Sequence, residues 1–229
     1  METYTIDADN IDRDLFFYNL TRNSNDFSML PVFELDLIAQ KIRNILKKHG
    51  SRKDIILNHR ELQEAFFNPF KPQLKSVQVF LSHSHADRNK ALEVKNYLEN
   101  QTNGKVFIDS LFWDYKDDVL NELAEYNDIS KIKDAFTLIL RESLQDMIEK
   151  CPYFVFLQSK NSVSNQGLSR ITYSAWIYEE LKIAHSISTI SESHLIPMME
   201  SMQVFHDISP FLKSFETITL SKLSRIINS

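Results

Sequence analysis

Glycine is scarce in this chain: 229 residues contain three, Gly50, Gly104 and Gly167, where a usage of ~7% would give roughly sixteen. None lies near another, so there is neither a P-loop nor a G-x-G-x-x-G fingerprint. Both need clustered glycines to bring backbone N–H groups against a phosphate. Cysteine is scarcer still. Cys151 stands alone, which excludes an intramolecular disulfide and a Cys-rich zinc site. Long apolar runs are also missing: no uncharged stretch approaches the ~20 residues that span a bilayer. The opening segment METYTIDADNIDRDLFF is acidic where a signal peptide would be basic. Together these features lead to the expectation of a cytoplasmic protein in a reducing compartment, with no membrane partner.

Positive charge is in slight deficit, 26 Lys and Arg against 31 Asp and Glu, which argues against nucleic acid as the main partner. The local basic cluster Lys41, Arg43, Lys47, Lys48, Arg52 and Lys53 reads as a solvated helix face and its following turn. What is present is 43% hydrophobic and 25% charged residues, the balance of a folded domain and not of a disordered tail.

Residues 1–72 are predicted to be a helical extension. Leu35, Ile38, Ile42 and Ile45 recur at helical spacing, and a short amphipathic segment from Leu57 to Phe67 ends before Asn68-Pro69-Phe70-Lys71-Pro72. Two prolines so close break a helix and suggest a boundary. From residue 73 to 229 the pattern changes to short apolar runs alternating with amphipathic stretches, the signature of an α/β domain around a parallel sheet. Five strands are predicted, at residues 77–81, 105–109, 153–157, 194–198 and 215–220, with helices at about 86–101, 131–149 and 173–188. Pro197 weakens the fourth strand. The polar and aromatic stretch from Leu111 to about Ser130 is long for a connection.

In such a sheet, ligands bind at the carboxyl ends of strands, next to the point where strand order reverses. The first run after residue 73 ends in Ser82-His83-Ser84-His85-Ala86-Asp87, hydroxyl and imidazole groups opening a helix. These can donate to a phosphate or ribose without any glycine, although Ser84 or Asp87 could equally cap the helix. No further His or Cys cluster completes a metal site around His83 and His85, so no metal is expected. Trp176 and Glu180, four apart, share a helix face, and Tyr173 would lie one turn earlier on it. Glu179 is three residues from Trp176, and helical geometry alone does not choose between the two carboxylates.

Several strings, in order, resemble the TIR (Toll/interleukin-1 receptor) domain family. Val79-Phe80-Leu81-Ser82-His83-Ser84-His85-Ala86-Asp87 is similar to its first box, an apolar strand followed by Ser-[Tyr/His/Phe]-Ser-x-x-Asp. Val106-Phe107-Ile108-Asp109 resembles the second strand and the start of the BB loop, and Leu144 to Cys151 the helix before the third strand. Phe154 to Ser162 resembles that strand with its Ser-x-Asn-[Ser/Tyr], and Ser174-Ala175-Trp176-Ile177-Tyr178-Glu179-Glu180-Leu181 matches Ser-x-Trp-x-x-x-Glu-Leu. The resemblance covers about residues 76–220. It departs from the family in the loop Leu111-Phe112-Trp113-Asp114-Tyr115-Lys116, which lacks the usual Gly or Pro.

The resemblance implies a flavodoxin-like five-stranded parallel sheet flanked by helices, and an NAD+ glycohydrolase or ADP-ribosyl cyclase like the stand-alone bacterial TIR proteins of anti-phage defence, including the Thoeris type. It favours Glu180 as the catalytic residue. Ser82, His83, Ser84, His85, Asp109, Trp113, Tyr173 and Trp176 are then expected to bind substrate. NAD+ would be consumed as substrate, with no resident cofactor. The resemblance further implies self-association through TIR–TIR contacts and a downstream effector that senses an ADP-ribose-derived product. A non-catalytic TIR adaptor and a nucleoside deoxyribosyltransferase-like enzyme are the competing expectations.

Overall fold

The computed structural model of the chain describes residues 1–11, 40–42, 44–45, 59–67, 76–108, 129–189 and 205–229. It divides into two units, one formed by residues 1–20, 76–109 and 144–229, the other by residues 21–75 and 110–143.

The first unit is built on a five-stranded parallel sheet. Its strands are β1 (Glu2–Asp7), β2 (Val77–Ser82), β3 (Lys105–Ile108), β4 (Tyr153–Gln158) and β8 (Glu216–Thr217), in the spatial order β3-β2-β4-β1-β8. Every pairing is parallel. Strands covered on both faces read as continuous apolar runs: Val79, Phe80 and Leu81 have no exposed surface, and Phe154 to Leu157 none either. Register sets Phe80 opposite both Phe107 and Phe154. Each ring pair has its centroids 5.6 Å apart, so one row of aromatics crosses three strands at the centre of the core.

The fold is α/β around a parallel sheet, as the run pattern predicts, and flavodoxin-like, as the resemblance implies, but one strand has an unexpected origin. Glu2–Asp7 does not belong to a helical extension. It lies between β4 and β8, aligned from Glu2 opposite Tyr153 to Asp7 opposite Gln158. Its core residues Thr3, Tyr4, Thr5 and Ile6 are all buried. β-branched and aromatic side chains suit a pleated surface, and the Thr5 carbonyl also accepts the Ile218 N–H at 3.0 Å. The predicted last strand shrinks to Glu216–Thr217, and residues 194–198 lie outside the described residues.

The expected helices form. After a single 3-10 turn, His85–Asp87, helix α2 (Arg88–Gln101) buries Ala91, Val94 and Leu98 on one face. Glu99 on this helix takes both the Lys95 ammonium, at 2.5 Å, and the Val106 N–H, at 2.9 Å, which ties α2 to β3. Helix α3 (Ile129–Lys150) precedes β4. Helix α4 (Ala175–Thr189) follows a small antiparallel sheet of β5 (Ser164–Gln166), β6 (Ser169–Thr172) and β7 (His206–Asp207). This small sheet is absent from the expectations above. Its hairpin turns at Gly167, whose φ of +60° is a conformation few other residues adopt. Short helices α5 (Ser209–Leu212) and α6 (Leu220–Ile227) flank β8.

In the second unit, helix α1 (His59–Phe67) corresponds to the predicted second amphipathic segment. Its Gln63 amide donates to the Ser143 hydroxyl at 3.5 Å. Ile42 and Ile45 of the first predicted helix are helical and buried; Leu35 and Ile38 lie outside the described residues.

Candidate functional site

Strand order locates the crevice. The chain passes from β2 to β3 on one side of β2, whereas β4, β1 and β8 lie on the other, so the connections diverge at a switch point between β2 and β4. Ser82 ends β2 opposite Phe156 of β4, and Ser159 follows the end of β4 at the same edge of the sheet. In open α/β sheets this is where ligands bind.

Helix α4 brings the third component. Ser174 caps its start: the Ser174 Oγ accepts from the Ile177 N–H at 3.3 Å and its carbonyl from the Tyr178 N–H at 3.1 Å. Ile177, Leu181 and Ala184 then face the core. That rotation turns Glu180 inward, where its Oε2 accepts the Ser82 hydroxyl at 2.5 Å. Neither residue has exposed surface. Glu179 is also buried, at 4% exposure, so burial alone does not separate the carboxylates; the contact to the carboxyl end of β2 does.

The rest of the first box divides by role. His83 is buried, at 3% exposure, beside Ser82. The Ser84 Oγ accepts the Ala86 N–H at 3.3 Å and caps the 3-10 turn, while His85 is exposed. Asp87 makes no cap bond to its helix. It reaches instead across the switch point, where its carboxylate accepts the Ser159 hydroxyl and, at 2.8 Å, the Asn161 amide. Ser159 to Ser162 form a tight turn in which Ser162 Oγ accepts the Ser159 N–H at 2.8 Å. Trp176 is half-buried on α4. Tyr173 corrects an expectation: it precedes the helix and is 55% exposed, so it does not share the buried face that carries Glu180. Asp109 and Trp113 lie outside the described residues.

Two residues at this edge carry no signal in the reading above. β1 ends at the same edge, and Asp9 Oδ2 accepts the Lys160 N–H at 2.8 Å while its Oδ1 meets the Lys90 ammonium at 3.2 Å. Lys90 in turn lies 3.9 Å from Asp87. The Lys160 N–H, assisted by Lys90, holds the Asp9 carboxyl below the usual carboxylate range. The alternation Thr3-Tyr4-Thr5-Ile6 followed by Asp7-Ala8-Asp9-Asn10 is the signal that could have found this strand and turn.

Among the described residues, no group of three or more His, Cys, Asp or Glu side chains could hold a metal ion, and no helix is long and apolar enough to cross a membrane. Comparison with protein-family models, with curated proteins and with solved structures returns no match for this chain.

Proposed function

We propose that the chain is a TIR-like NAD+ glycohydrolase or ADP-ribosyl cyclase with Glu180 as its catalytic carboxylate. The observation that carries this reading is the Ser82–Glu180 contact: it joins the Trp-x-x-x-Glu helix to the carboxyl end of the first-box strand at the switch point of the sheet. Two of the strings that resemble the TIR family, the first box and the Trp-x-x-x-Glu helix, meet through this contact, which supports the reading.

The chemistry suits a single carboxylate. Nicotinamide in NAD+ is already cationic, so breaking the bond from ribose C1′ to the ring nitrogen sends the electron pair to nicotinamide, which leaves neutral without a general acid. Positive charge develops on C1′ and the ring oxygen, and a fixed anion stabilises it. Water then adds at C1′ and loses a proton to give ADP-ribose; if an adenine or ribose atom reaches C1′ first, the product is cyclic. Trp176, half-buried four residues before Glu180 on α4, would stack on nicotinamide or on the developing cation. An ADP-ribose-derived signal read by a downstream effector, in antiviral immune signalling, is the role this activity would serve.

One observation favours a second reading, a non-catalytic scaffold that acts through TIR–TIR association. Glu180 has no exposed surface, whereas Leu168 at the hairpin tip and Tyr173 are open to solvent. Incubating the purified chain with NAD+, with and without a crowding agent that promotes assembly, and resolving the products by chromatography separates the two. Release of nicotinamide supports the enzyme; none under either condition supports the scaffold. Activity on free nucleosides in the same assay would point to a deoxyribosyltransferase-like enzyme instead.

A further inference from the structure

We propose that Ser82 is a positioning residue, which holds the Glu180 carboxylate by a hydrogen bond and does not itself bind substrate. The proposal rests on the functional reading above for its catalytic consequence and on geometry for its content. A serine hydroxyl has one hydrogen to donate, and that of Ser82 is directed at Glu180 Oε2 at 2.5 Å. Both side chains are fully buried, so water does not compete for the bond. The two residues are 98 positions apart in sequence, and the bond therefore fixes helix α4 relative to the end of β2 at the one point where the orientation of the carboxylate matters.

Two physical effects follow. A hydrogen bond donated to a carboxylate favours its charged form, which opposes the desolvation that burial imposes. It also restricts the side-chain torsions of Glu180, so the carboxylate is organised before substrate arrives, and preorganisation of charge is what speeds the step. A residue of this kind lowers kcat when removed. One that grips substrate raises KM.

The test compares Ser82→Ala, Ser82→Cys and Ser82→Thr with the parent chain, each checked for folding by circular dichroism and melting. The Glu180 carboxyl carbon is followed by NMR in 13C-glutamate-labelled protein across a pH titration, its resonance assigned by loss in Glu180→Gln. The titration midpoint of Glu180 is expected to move up in Ser82→Ala, less in Ser82→Cys because a thiol is a weaker donor, and to stay near the parent in Ser82→Thr. With NAD+ as substrate, kcat is expected to fall about 10–100-fold in Ser82→Ala with KM within about twofold, the acid limb of the pH profile moving up in step, and Ser82→Thr restoring activity. An unchanged Glu180 titration in folded Ser82→Ala, or a raised KM at constant kcat, overturns the proposal. The titration decides the role of Ser82 whether or not NAD+ is cleaved, so failure of the enzymatic reading is seen separately as a parent chain that releases no nicotinamide.

Discussion

Asp87 and Asn161, 74 positions apart in sequence, meet at 2.8 Å where the ends of β2 and β4 lie side by side. Asp87 is 2% exposed and its carboxylate also accepts the Ser159 hydroxyl, so one buried carboxylate clamps the turn after β4 to the turn after β2.

Replacing that carboxylate leaves the hydroxyl of Ser159 and the amide of Asn161 without their acceptor. Asp87→Ala is expected to destabilise the fold by about 1–3 kcal/mol, measured by urea denaturation. A change within a few tenths of a kcal/mol would show that water or a neighbour replaces the clamp.

The position of β1 inside the sheet makes a sharper claim. Ile6 is 2% exposed between β4 and β8, and Ile6→Ala should cost about 2–5 kcal/mol. A strand belonging to a peripheral extension would tolerate the change, and an unaltered denaturation midpoint would remove β1 from the core.

Asp9 predicts the form of the acid dependence. The Lys160 N–H lowers the folded-state titration of Asp9 below its unfolded value, so its charge contributes stability above the unfolded Asp range, and that contribution is lost as pH falls through the folded value. Asp9→Asn is therefore expected to be less stable than the parent near neutrality, with the gap closing on acidification. Asp9 is partly exposed, and the gap should also narrow with added salt. Melting temperatures across pH 2–7 check this; a pH-independent gap contradicts it.

Cys151 follows α3 and is buried, which pushes its thiol up to about 12. Thiolate is the nucleophile, so iodoacetamide at pH 8 should label the native chain slowly and the urea-unfolded chain fully. Rapid labelling of the native protein, followed by mass spectrometry, would place Cys151 at the surface.

For the two neighbouring carboxylates, Glu180→Ala is expected to reduce NAD+ cleavage by about 10²–10³-fold or more, and Glu179→Ala to retain most of it. Melting curves establish that both variants fold. Equal losses in folded proteins would reject Glu180 as the distinguishing residue.

The sheet was legible in the sequence wherever a strand is covered on both faces. Val79 to Leu81, Val106 to Ile108 and Phe154 to Leu157 are apolar without interruption because side chains on both faces are buried, and Ala91, Val94 and Leu98 display the helical period of α2 directly. β1 was not legible in that way. Thr3-Tyr4-Thr5 is too short and too polar to outweigh the helical pattern further along, and its strand character comes from partners in β4 and β8 more than 140 residues away. The hairpin of β5 and β6 left a fainter trace in Gly167, which only its φ explains.

Local chemistry, by itself, determined the α/β alternation, the exclusion of glycine-cradled phosphates and of disulfides, and the two segments, Ser82 to Asp87 and Trp176 to Glu180, that hold the candidate site. Those properties depend on residue type and spacing along the chain. Tertiary structure alone decided that Glu180 and not Glu179 meets Ser82, that Tyr173 falls outside the helix, that Asp87 clamps the turn after β4, and that the strand beside β4 is the amino-terminal one. Periodicity identifies the apolar side of a helix or strand. It does not state how far α4 is rotated about its axis against β2, or which distant segment fills a slot in a sheet, because those depend on packing between residues that sequence order keeps apart.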